Sequence, residues 1–312
     1  MNKLSFVLAL LAVPALAKYD PSNDRMALRQ AAISANDAAT RAAAVPLVPE
    51  RAAEINSDLD QSVVQADLAG NAAKSLDTGA AQRAGEMSSE LKGHGEPAPA
   101  SAAKDLAAAT AAQRDRWTKL SKDQDDLKAR VDALPDSDKE KGHDKSQLND
   151  ASTALAAADA TLNRAASGAA NMTQAVADME LAQKRSSASA AELNAADAEV
   201  ARLDAALPPP VGEAKAATAL LGQEPQGPNR TKAGQKISVP RDITGALFTA
   251  ADRASNRADD YRSRSDAFAR AQAAFDGSKN DAAGLPDAAK KSLDDAASTQ
   301  DQVRSRLDHP KP

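Results

Sequence analysis

One residue in four along this chain is alanine, 76 of 312, so most of the 42% counted as hydrophobic consists of single methyl groups. Leu, Ile, Val and Phe together reach only about 15%, below the roughly 20% at which composition begins to favour disorder. Burying a Leu or Phe stabilises by roughly 1.5–3 kcal/mol, and burying an Ala methyl by about one CH₂ equivalent. A thick globular interior is therefore out of reach. Sheet-based, enzyme-like α/β architectures are nearly excluded, because Ile occurs only at positions 33, 55, 237 and 243 and no run alternates apolar with polar residues at period two.

Helix is the regular element the chain does support. Pro and Gly cluster at a few places and leave long stretches of Ala, Leu, Glu, Gln, Lys and Arg, the best helix formers. The punctuation predicts helices over about 22–44, 50–92, 101–134 and 146–207, with Ser22 and Ser101 as N-caps of the first and third. In the third, Leu106, Gln113, Leu120, Leu127 and Leu134 recur every seven residues, and Thr110, Trp117, Gln124 and Val131 run four residues behind them. That is the a/d seam of a helix lying against a partner helix. The fourth pairs Leu148, Leu155, Leu162, Ala169 and Val176 with Ala151, Ala158, Ala165, Met172 and Met179. Unbroken, it would be about 90 Å long at 1.5 Å per residue, and the serine cluster at 186–189 is the place for a bend.

Pro208-Pro209-Pro210, Gly222, Pro225, Gly227, Pro228 and Gly234 mark 208–240 as a flexible linker. A C-terminal helical hairpin follows over 241–307, with Leu247, Ala254, Tyr261, Phe268 and Phe275 at seven-residue steps, and 308–312 is a polar tail. The expected fold class is all-α: an elongated antiparallel helical bundle or coiled coil with Ala-rich seams, its long-helix bundle spanning 18–207. Disorder is the alternative, since isolated Ala-rich helices are marginal in water and Gln113, Gln124, Gln183 and Gln300 interrupt the seams.

Residues 1–17 have a positive start at Lys3, an apolar run of about 13 residues and the small-x-small ending Ala15-Leu16-Ala17, the pattern of a secretory signal peptide cleaved after Ala17. The run is too short for the roughly 20 residues of a transmembrane helix. Export then leaves Lys18 first, and with no cysteine in the chain a lipoprotein anchor is excluded. The mature protein is expected to be soluble, periplasmic or secreted, and held together without disulfides.

The net charge of −5 is mild, and Arg253, Arg257, Arg262 and Arg264 interleave with Asp252, Asp259, Asp260 and Asp266 in the manner of a solvated helix face. No basic stripe with interleaved aromatics exists, so nucleic acid is not an expected partner. The stripes are narrow and mix Asp with Arg at their rims, which argues against a lipid-surface binder.

Chemistry-bearing motifs are few. His94, His143 and His309 stand apart from one another, and there is no Cys to complete a zinc set. Ser101-Ala-Ala-Lys104 lacks the companion motifs that Ser-x-x-Lys needs. Asp136-Ser-Asp138-Lys-Glu140 begins like a calcium loop, but Lys141 and Gln147 stand where Gly and Glu are required. No catalytic residue, cofactor or metal is expected. Trp117, Tyr261, Phe268 and Phe275 are the candidate partner contacts if exposed, and core residues if not. The expected function is an exported, non-enzymatic helical structural or interaction protein that spaces or binds envelope or surface components, through a protein partner or self-association along its seams. The alternative is an ATP-independent periplasmic holdase or stress-protective helical protein.

Overall fold

A computed structural model describes residues 19–93, 96–223 and 227–309. The signal peptide expected over 1–17, His94 and the last three residues of the tail lie outside the described residues. Helix is the only regular structure among those described: α1 (Ser22–Ala44), α2 (Ala52–Lys92), α3 (Pro99–Asp132), α4 (Lys141–Ala206), α5 (Pro208–Ala219), α6 (Pro228–Ala282) and α7 (Leu285–Asp308). Short 3₁₀ turns occupy Pro49–Arg51 and Leu220–Gly222. The fold is an all-α helical bundle.

Helix ends follow local chemistry. At the start of α1, the Asp20 carboxylate accepts from the Ser22 N–H at 3.0 Å and the Ser22 hydroxyl at 2.6 Å, so Asp20 does the work expected of Ser22. The helix stops where Val45, extended at φ −66° and ψ 135°, precedes Pro46. α3 starts two residues before Ser101, because Pro99 at the first helical position has its φ preset and no N–H to lose. α4 starts at Lys141 rather than 146, its approach tightened by the Asp138 carboxylate accepting from the Glu140 N–H at 2.8 Å. It then runs unbroken to Ala206 through the serine cluster, whose Ser186 and Ser189 are fully buried.

The expected linker at 208–240 is corrected: most of it is helix. Pro208 to Pro210 form the first turn of α5, and Pro228 opens α6, positions where a missing N–H costs nothing. Pro240 is accommodated inside α6, at the loss of one intrahelical bond. The hairpin expected from 241 therefore begins at Pro228 and turns at Gly284, whose φ of 73° suits glycine.

The helices assemble into two compact groups. The first takes residues 19–87 and 183–266, the second 88–182 and 267–309. This replaces the expected division into an 18–207 bundle followed by a 241–307 hairpin. A helix much longer than its neighbours must take different partners along its length, and α2, α4 and α6 each contribute to both groups.

In the first group five helical segments, from α1, α2, α4, α5 and α6, pack antiparallel to the neighbours they pair with. Ion pairs and hydrogen bonds set the register. Arg29–Asp252 (2.9 Å) joins α1 to α6, Ser75–Asp24 (2.8 Å) joins α2 to α1, Lys215–Asp60 (2.8 Å) joins α5 to α2, and Arg257–Glu192 (2.9 Å) joins α6 to α4. Its interior alternates Leu28, Ile55, Leu59, Leu76, Leu193, Leu207 and Leu247 with a larger number of alanines. In the second group α3 and α7 run parallel, and both lie antiparallel to the first part of α4, with Leu127, Val131, Leu148, Leu155, Leu293 and Val303 enclosed. The expected seam of α4 is buried at every position from Leu148 to Met179, whereas in that of α3 Thr110, Gln124, Leu127 and Val131 are buried and Leu106, Gln113, Trp117, Leu120 and Leu134 are half-buried.

Candidate functional site

The four aromatic candidates are placed by their helices, and three of them point inward. Tyr261 is fully buried in the first group. Its hydroxyl donates to the Ala80 carbonyl at 3.0 Å, and burial pushes the phenol up to about 12. Phe268 and Phe275 are buried in the second. These three are consequently core, not an exposed adhesive row, since side chains this large at seam positions satisfy the thin alanine interior first. Trp117 is half-buried. Its indole N–H donates to the Leu155 carbonyl at 3.0 Å, and the Arg114 guanidinium lies 5.4 Å from the ring centre, so it too is engaged within its own group.

The apolar side chains that do reach solvent were not singled out by the heptads. Met26, Ile33, Val64, Leu68, Val239 and Phe248 stand out from α1, α2 and α6 of the first group, and Leu181 from the second. Met26, Val64 and Leu68 are each at least half exposed, at 58%, 55% and 50%. A period search finds the buried stripe. Residues off that stripe are detectable only by asking which large apolar groups the stripe fails to absorb.

Polar groups inside the bundle form three constellations. In the second group, Gln124 donates to the Leu148 carbonyl at 2.5 Å, and Gln300 donates to the Leu120 carbonyl and the Gln124 side-chain oxygen, each at 2.9 Å. This glutamine layer ties α3, α4 and α7 together at one level. Near the same end, Arg306 of α7 donates through Nε to buried Asp144 of α4 at 2.7 Å.

The third lies in the first group, where α2 and α4 bring carboxyls face to face. Burial, and then the charge of Asp77, push Asp197 up to about 8. Burial, then Asp67 by charge and by a shared hydrogen bond, push Asp204 up to about 6. Asp197 is only 4% exposed and neither of its carboxyl oxygens has a hydrogen-bond partner.

Ligand-sized space is shallow. In the second group a cleft of about 580 Å³ is lined by Asn163, Arg164, Ser167, Asn171, Ser278 and Asp281, with Gly168 at its floor. A smaller one of about 310 Å³ in the first group lies between Glu192, Glu199, Arg253 and Arg257. His143 and His309 are exposed, and no group of three or more acidic or histidine side chains among the described residues could hold a metal ion. Two acids of the calcium-like stretch are used locally: Asp138 accepts from the Glu140 N–H just ahead of α4, and Asp136 pairs with Lys141 at 2.9 Å. No helix among the described residues is long and apolar enough to cross a membrane. Searches against family models, curated proteins and solved structures return no match to this chain.

Proposed function

We propose that this chain is an exported, non-enzymatic helical structural or interaction protein that binds or spaces envelope or surface components. The observation that carries the reading is the set of large apolar side chains left on the outside of the first helical group, while a sparse supply of such residues is otherwise drawn inward. In a chain with so few Leu, Ile, Val and Phe, leaving Val64 and Leu68 half in water forgoes stabilisation the thin interior would use, and the two stand one turn apart on one face of α2, where a partner would cover both. Both clefts are open and the larger is polar, which suits contact with a macromolecular surface better than enclosure of a small substrate. Export rests on the signal-peptide pattern of residues 1–17.

The test is site-specific photocrosslinking in the producing cell, with the probe at Leu68 in one strain and at the exposed Lys122 of α3 in another. The expected result is a discrete adduct in the envelope or outside the cell from Leu68 and none from Lys122. Equal, diffuse labelling from both positions overturns a specific contact, and suppression of a client's aggregation at near-stoichiometric ratio would replace it with the holdase reading.

A further inference from the structure

The first helical group holds two carboxyl pairs at the same interface. Asp67 and Asp77 lie ten residues apart on α2, and Asp204 and Asp197 seven apart on the antiparallel α4, which sets Asp67 beside Asp204 and leaves Asp77 near enough to Asp197 to act on it by charge. The local construction leaves these acids no cation. Asp197 is enclosed with both carboxyl oxygens unpartnered. Asp204 leans into the space that a side chain on Gly70 would fill: a Cβ there would stand 2.5 Å from its Oδ2. Its other oxygen is buried without a partner.

The charged groups around the seam are otherwise committed. From α2, Asp60 is taken by Lys215 of α5, and Lys74 makes no ion pair with either acid pair among the described residues. From α1, Asp24 accepts from Ser75, and from the segment leading into it the phenol of Tyr19 donates to the Leu76 carbonyl. From α6, Arg257 pairs with Glu192 and Asp260, Tyr261 donates to Ala80, and Arg253 lines the outer cleft beside Glu199. On α4 itself Arg202 is held by Glu199 at 2.7 Å. Two carboxylates facing each other without a cation repel, and a proton on the buried member of each pair removes that repulsion.

We propose that the Asp77–Asp197 and Asp67–Asp204 pairs form a proton-operated latch between α2 and α4, closed while each pair keeps a proton and released when both of its carboxyls ionise. The direction follows from linkage. An acid that binds its proton more tightly folded than unfolded adds stability that is complete below the ordinary carboxyl range and is lost as pH rises through the folded value. With Asp204 raised to about 6 and Asp197 to about 8, the loss runs from mildly acidic to mildly alkaline pH, Asp204 releasing first. Each retained proton shifts the opening equilibrium by up to about tenfold per pH unit within that window. The latch is independent of what the outer surface binds.

Hydrogen exchange of the full-length chain, corrected for the intrinsic pH dependence of exchange, tests it. The amides of 66–80 and 193–207 should lose at least about tenfold in protection between pH 5 and pH 8.5, while those of α7 hold theirs. Asp197→Asn combined with Asp204→Asn mimics the protonated acids and should flatten the profile at the protected level. Carboxyl-carbon NMR of the unaltered chain gives a second reading, with Asp197 titrating well above the ordinary carboxyl range. An unchanged pH profile in the double variant, or Asp197 titrating in the ordinary range, overturns the proposal.

Discussion

Single residues here matter most where a polar group is enclosed. Gln300 occupies a seam position where an apolar side chain would be the default, and it satisfies both a backbone carbonyl of α3 and the Gln124 amide. Gln300→Ala should therefore destabilise by about 1–3 kcal/mol, because Gln124 loses a partner while still enclosed. Replacing both glutamines by Leu should be close to neutral, since no polar group is then stranded. Urea titrations of the two variants give the comparison, and equal losses would show that the layer acts only through packing. Arg306→Ala is expected to cost more, about 3–5 kcal/mol, by leaving Asp144 buried and uncompensated. The same urea midpoint measures it, and adding Asp144→Asn should recover most of the loss. Both glutamines are visible in the sequence as intrusions in a heptad. That they answer each other is not, because they are 176 residues apart.

At the scale of helices, periodicity identified what exists and misjudged where some of it ends. α1 has the expected bounds, and the buried seam of α4 is the expected one. Prolines and glycines break a helix only at some positions, which is why 208–240 is mostly helix rather than linker. A proline in the first turn of a helix is a start signal, and Pro208 and Pro228 are both of that kind. Close contact between helices depends on small residues in the same positional way. A Cβ on Gly168 of α4 would stand 2.7 Å from the Cβ of Ala282 on α6, inside van der Waals contact. Gly168→Ala gains about 0.8–1.0 kcal/mol of helix propensity but should still destabilise, by about 1–3 kcal/mol, because a backbone-anchored methyl cannot move aside. Gly212→Ala, in α5 with open space around it, is the control and should be neutral or slightly stabilising; a rise in melting temperature for both would refute the contact argument.

For the molecule as a whole, the thin interior sets the behaviour. Most enclosed apolar side chains are alanine, so stability is distributed over many small contacts and each large apolar side chain carries a disproportionate share. Far-ultraviolet circular dichroism should show a strongly helical spectrum that is lost cooperatively on heating, and a random-coil spectrum at neutral pH would contradict the bundle. Leu59→Ala, deleting one of the few large side chains enclosed in the first group, should cost about 2–5 kcal/mol. A drop in the denaturation midpoint small enough to match an exposed substitution such as Leu68→Ala would mean that the alanines, not the leucines, dominate.

The sequence alone determined the class of fold, because a chain whose apolar atoms are mostly methyls has only the helix in which to satisfy its backbone and pack at short range. It also located the stripes, since a seven-residue period is a local property of one strand of text. What the tertiary structure decided is which stripe meets which. It set the glutamine layer, the Arg306–Asp144 pair and the two carboxyl pairs between α2 and α4, all of which join residues far apart in the chain. It also turned Tyr261, Phe268 and Phe275 inward and left Val64 and Leu68 half in water. Burial depends on the partner helix as much as on the residue, and no period along a single helix records the partner.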